Sequence, residues 1–180
     1  MMRRTSHGFT MLEVLISIVI IAFGLLGVAG LQAFALKNNH SASLRLTATT
    51  LAADMIDRMR VNHEGVSQLA YHSPNRADYN TANPGCLVPA GACSPAQLAQ
   101  HDRFEWQTRI AAAMPNGAGI VCLDTSPNDG VSADAPGCEG PGAGLPGGDA
   151  TWVIKIWWTD DRGPGASTAT PQLFWTAFNP

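Results

Sequence analysis

Glu13 is the residue of this chain whose setting most demands a chemical explanation. It borders the run Val14–Leu36, which contains no charged side chain. An acidic group in hydrocarbon costs up to about 2.5–3.5 kcal/mol on insertion scales, and less near the end of a span. A cation is needed to offset that cost, and a cut between Gly8 and Phe9 would make one. The new α-ammonium would lie four residues from Glu13. Helical spacing then puts amine and carboxylate on one face, within one chain or between neighbours.

The other chemistry-bearing residues give weaker patterns. Cys86, Cys93, Cys122 and Cys138 contain no C-x-x-C pair, and none lies near a His at zinc-ligand spacing. Their expected use is two disulfides formed in an oxidising compartment, outside the cytoplasm. Four cysteines allow three connectivities. Cys86–Cys93 with Cys122–Cys138 is the favoured one, each loop contributing about 2.5–3 kcal/mol by chain entropy.

Asp124, Asp129 and Asp134 lie in a turn-rich stretch and offer oxygen ligands for calcium, but their spacing misses the EF-hand pattern and no metal is assigned. Gly140, Gly142, Gly144, Gly147 and Gly148 form a loop without the Gly-Lys-Ser/Thr of a phosphate site. The five histidines (7, 40, 63, 72 and 101) make no H-E-x-x-H, and no Gly-x-Ser-x-Gly elbow occurs. No catalytic residue and no cofactor is expected, and the chain does not read as an enzyme.

The element that must position Glu13 is a long helix. The basic start MMRRTSHG ends at Gly8, and the uncharged run beyond Glu13 is long enough to cross a bilayer. Arg3 and Arg4 belong on the cytoplasmic side, which places the C-terminal domain outside. A secretory signal would instead have a short apolar region followed by a small-residue cleavage site. Gly24, Gly27 and Gly30 have the small-residue spacing that lets helices approach closely in lipid. Past the membrane, Leu44, Ala48, Leu51, Met55 and Met59 recur every three or four residues, with Ala52 and Ile56 beside them. Asp54 and Arg58 make an i, i+4 pair on another face. One helix from Phe9 to Arg60 is expected.

The 180 residues, with 46% apolar content, allow one modest domain beyond the anchor. Net charge is −3, and loss of Arg3 and Arg4 with a leader would make it −5, from 9 basic and 14 acidic residues. No basic run exists outside Arg3–Arg4, so nucleic acid is not an expected partner.

The residues G-F-T-M-L-E-V-L at 8–15 resemble the type IV prepilin signature. That resemblance implies cleavage by a prepilin peptidase after Gly8 and N-methylation of Phe9. It also implies that Glu13 attracts the N-terminus of an adjacent subunit during assembly. Major pilins carry a helix-disrupting Pro where this chain has Gly30. LAADMIDRMRVN and CSPAQLAQHDRFEWQTRIAAAMPNGAGIV resemble segments of PilV-type minor pilins, the second through its Cys, its Asp-x-x-x-Trp helix and its Pro-x-Gly turn. WVIKIWW is similar to that family's Trp-containing strand. Partners implied are the prepilin peptidase, other minor pilins, the major pilin, the inner-membrane assembly platform and membrane lipid. The subunit would start as a single-pass inner-membrane protein with a cytoplasmic N-terminus and end in the pilus fibre at the cell surface. A minor pseudopilin of type II secretion shares these features, and a membrane-tethered adhesin-like module is the rival of another class.

For the outer domain, Ser94, Pro95 and Gln97 predict a capped helix to about Met114 that buries Trp106, Ile110 and Ala113. Gly119–Asp124, Trp152–Trp158 and Gln172–Phe178 read as strands. Along the second, Trp152, Ile154, Ile156 and Trp158 point one way, and Val153, Lys155 and Trp157 the other. Along the third, Phe174, Thr176 and Phe178 oppose Leu173, Trp175 and Ala177. The expected fold class is α+β and type IV pilin-like, a long N-terminal helix packed on an antiparallel sheet. The segments are a leader at 1–8, an apolar helix at 9–36, its amphipathic continuation at 37–62 and a head domain at 63–180.

Overall fold

The computed structural model describes residues 8–87, 93–141, 150–160 and 170–180. Helix α1, Met11–Val61, contributes to two compact units that divide between Ala42 and Ser43.

In the first unit, Thr10 caps the helix: Glu13 donates its backbone N–H to Thr10 Oγ1 at 3.2 Å. Glu13 thus sits in the first turn, at the positive end of the helix dipole. The helix starts at Met11 rather than Phe9 because Thr10 takes the cap. Every residue from 8 to 40 is exposed. Each of Gly24, Gly27 and Gly30 has open space where a side chain would stand. Ser17 Oγ donates to Glu13 O at 2.7 Å, which satisfies its hydroxyl inside an apolar surface.

The second unit has its own core. From α1 it takes Leu44, Ala48, Ala52, Met55 and Met59, with Leu51 and Ile56 half-buried at the margin. Asn62 ends α1 and caps the short α2, His63–Ser67, by accepting from Gly65 N. Helix α3, Pro95–Ala113, opens on a complete capping box between Ser94 and Gln97. Trp106 and Ile110 are buried as expected, but Ala113 is exposed and Met114 is buried in its place. The chain leaves the helix at Met114, whose extended backbone turns its side chain inward.

Three antiparallel strands follow in the order β1 (Ala118–Asp124), β2 (Thr151–Trp158) and β3 (Gln172–Phe178). Val121, Ile154 and Thr176 stand side by side, as do Cys122, Val153 and Ala177. Gly119 faces α3 so closely that a Cβ there would strike the Trp106 ring and approach Ile110 Cδ1 to 2.6 Å. Gly119→Ala is therefore expected to destabilise this unit by about 1–3 kcal/mol through overpacking. Urea melting measures this directly; an unchanged midpoint would mean that Trp106 has room to retreat.

The alternation along β2 holds, yet both of its faces are buried from Trp152 to Trp158. The face opposite α3 is covered by the segment after β1. Cys138 is bonded back to Cys122, and Trp175 Nε1 donates to Asn128 Oδ1 at 3.1 Å. Lys155 lies under that cover, fully buried.

Candidate functional site

The structure separates the chain's chemistry into three places. The first is the start of α1. Gly8 and Glu13 are exposed, and Phe9 is 83% exposed. Thr10 belongs with them, because its hydroxyl fixes where the helix begins and hence which turn carries Glu13. Its signal is local: Thr10 and Glu13 have the S/T-x-x-E spacing of a capping box.

The second place is the polar joint between α1 and α3. Arg58 Nη1 donates to Asp102 Oδ1 and to Glu105 Oε2, each at 2.9 Å, while its Nε reaches Asp54 at 3.2 Å. Tyr71 gives its hydroxyl proton to the other Asp102 oxygen at 2.5 Å, and Asn62 Nδ2 donates to the Tyr71 oxygen at 3.1 Å. Burial opposes the Arg58 charge, but bonds to Glu105 and Asp102 outweigh it and raise the guanidinium pKa. Arg58 in turn holds the Glu105 carboxyl below its usual range. Burial, then Asp102, pushes the Tyr71 phenol up. Trp106 Nε1 donates to Leu51 O at 2.8 Å. The Asp-x-x-x-Trp spacing on α3 thus gives two bonds one turn apart, both to α1. This joint is a structural staple rather than a reactive centre.

The third place is a cage around Lys155. Its ammonium lies 2.6 Å from Asp124 Oδ2, 2.5 Å from Asp129 Oδ1 and 2.8 Å from Pro136 O. Gly137 (φ +71°) makes the room, since a Cβ there would collide with the Asp129 carboxylate. Glu139 completes the acidic side, with oxygens of Asp124, Asp129 and Glu139 within 4.8 Å of one another. Burial and Glu139 push the Asp124 carboxyl up, against the opposing pull of Lys155. Bonds from Asp124, Ser126 and Thr125 hold Glu139 well below the usual carboxylate range.

Of the three aspartates weighed as oxygen ligands, two come together and the third does not. Asp124 and Asp129 serve Lys155, and Asp134 pairs with Arg76 at 3.3 Å. An internal ammonium occupies the place a cation would take. Glu139 and Lys155 went unrecognised in the sequence because neither stands near Asp124 or Asp129 in a fixed local spacing.

Cys86 is bonded to Cys93 with Cα atoms 5.1 Å apart, and Cys122 to Cys138 with 6.2 Å. Gly140 donates its N–H to Leu123 O at 3.0 Å. The other glycines of that loop (Gly142, Gly144, Gly147 and Gly148), with Arg3, Arg4 and His7, lie outside the described residues. His72 Nδ1 accepts from Leu123 N at 3.1 Å, and burial lowers its pKa.

Residues 30–104 match the family model of type IV pilin Tt1218, and residues 3–29 match the prokaryotic N-terminal methylation motif. No curated protein and no solved structure matches the chain. The first match covers the apolar end of α1, its buried continuation and the start of α3. The second covers Gly8, Phe9 and Glu13. The long apolar helix with the small antiparallel sheet is the type IV pilin-like α+β fold.

Proposed function

We propose that this chain, a membrane-anchored prepilin of the type IV pilin kind, acts as a minor pilin of the PilV type. The observation that carries this reading is the start of α1, an apolar surface exposed from residue 8 to 36 with a single acidic residue at its capped end. Prepilin peptidase cuts after Gly8, and Phe9 becomes the methylated, still cationic, first residue. Burial of α1 among neighbouring helices supplies the driving force, since each fully covered Leu, Ile, Val or Phe gives about 1.5–3 kcal/mol relative to water. In lipid the gain is close packing instead, which Gly24, Gly27 and Gly30 permit. Burial is non-directional, so it does not set register. Glu13 does, by taking the amine of an adjacent subunit in a medium where neither charge can remain alone. Other minor pilins, the major pilin and the inner-membrane assembly platform are the partners this requires.

Pilins are structural, and a role in starting assembly predicts a phenotype out of proportion to abundance. In an in-frame deletion strain, the major pilin sheared from the cell surface is expected to fall clearly and to return with the wild-type gene. An unchanged amount would overturn the initiating role and favour a pseudopilin of type II secretion.

A further inference from the structure

The two edges of the sheet differ. Along β1 the odd-numbered residues turn their backbone groups away from β2, and each outward N–H is met. Gly119 N donates to Gln107 Oε1 at 2.9 Å, Val121 N to the Tyr79 hydroxyl at 2.7 Å and Leu123 N to His72 Nδ1 at 3.1 Å. Val121 O accepts from Ser73 N, and Leu123 O from Gly140 N, each at 3.0 Å. That edge is closed to another strand.

The β3 edge is open. Antiparallel pairing alternates, so the odd-numbered residues of β2 bond to β1 and the even-numbered ones to β3. Their partners are the even-numbered residues of β3, which leaves Leu173, Trp175 and Ala177 to turn N–H and C=O outward. Among the described residues, none of these outward groups meets a backbone partner. Edge strands are normally blunted by charge, proline or a bulge. Gln172–Phe178 has no charged residue, no proline and no break in its register with β2. Trp175 is 40% exposed on one face, and Phe174 and Phe178 are half-buried on the other. An added strand would cover apolar surface on both.

Outward groups at two-residue spacing take an extended segment, and an uncharged, aromatic edge suits an uncharged one. A copy of this chain cannot add head to tail, because its β1 edge is closed. We infer that β3 docks an uncharged edge strand from the outer domain of a different pilin by strand addition. This rests on the reading of the chain as a subunit among other pilins. With one edge open and one closed, the subunit takes a single neighbour into its sheet and ends the row there.

The test places p-benzoylphenylalanine at Trp175 of the full chain, in the cells that make it. Irradiation precedes separation of membrane and sheared fibre. Mass spectrometry is expected to find residue 175 joined to an uncharged segment in the outer domain of another pilin. Ala177→Pro removes an outward N–H and keeps the bonds to β2, a change that an edge strand tolerates. It should lower the adduct about tenfold or more, the scale of one or two lost backbone bonds. Ala177→Lys adds an edge charge and should act similarly. It stands as the test if melting shows that the proline variant unfolds. An adduct to residues 172–178 of a second copy would replace the inference with a twofold pair. An adduct only to proteins that are not pilins, none in either fraction, or one that survives both substitutions would overturn it. Presence of the chain in sheared fibre scores the fibre reading separately, so either can fail without the other.

Discussion

Lys155→Met is expected to lower the unfolding free energy of the 43–180 unit by about 3–5 kcal/mol, the usual consequence of stripping one partner from a buried ion pair. Lys155 and Asp124 are both fully buried, whereas Asp129 is 40% exposed at its side chain. Water partly solvates Asp129, so most of the loss comes from Asp124. Methionine fills the same volume and leaves the Asp124 carboxyl with Glu139 beside it and no ammonium. The Asp124 pKa, already raised by burial, then rises further. A carboxyl with a raised folded pKa contributes stability that is present below the unfolded value and lost as pH rises through the folded one. The deficit of Lys155→Met against wild type should therefore grow between pH 4 and pH 8. Urea midpoints across that range measure it. Adding Asp124→Leu should recover much of the loss, because the orphaned group is gone. Parallel stability curves for wild type and Lys155→Met would show that Asp124 never depended on Lys155.

Glu13→Val has the opposite signature, loss of assembly with the fold intact. Glu13 is exposed at the end of α1 and belongs to the unit outside the 43–180 core. Valine leaves the Thr10 cap in place, since that bond uses the backbone N–H of residue 13. It also makes the helix easier to insert in lipid. Under the proposed register role, the variant accumulates in the membrane while its amount in sheared fibres falls about tenfold or more, the scale of one lost charge-assisted contact. Glu13→Gln should fail similarly, because a neutral amide does not attract an ammonium. Immunoblots of membrane and sheared fractions separate the outcomes. Equal incorporation of Glu13→Val would assign register to packing alone.

Much of this fold was legible because its signals are local. The third strand begins and ends where alternation ends, at Gln172 and Phe178. The α3 start follows from Ser94, Pro95 and Gln97, whose bonds all lie within one turn. The apolar stripe of α1 was readable for the same reason. Glu13 stood out as an anomaly of composition, one carboxylate against an uncharged run. Ala113 misled because helical periodicity extends past the point where the chain departs at Met114.

The Lys155 cage was not legible, and the reason is tertiary. In the ladder Lys155 stands opposite Ile120, four residues from Asp124, so strand pairing does not announce the contact. Asp129, Pro136 and Glu139 arrive from a loop whose path depends on Gly137. An alternating strand says which side chains share a face, and it does not say what lies over that face. Burial of both faces of β2 was invisible for the same reason.

The cage has a consequence for the surface of the outer domain. Lys37 and Lys155 are the only lysines in the sequence, and only Lys155 lies beyond Ala42. With that ammonium sealed inside, the 43–180 unit presents no lysine amine to solvent. Its outward cations are guanidinium groups such as Arg45, Arg60 and Arg76, which meet anions through planar, two-pronged bonds rather than as mobile point charges. Amine-reactive crosslinkers and dyes would therefore pass over the lysines of this unit, and its neighbours in a fibre would have to be mapped through carboxylates or arginines instead.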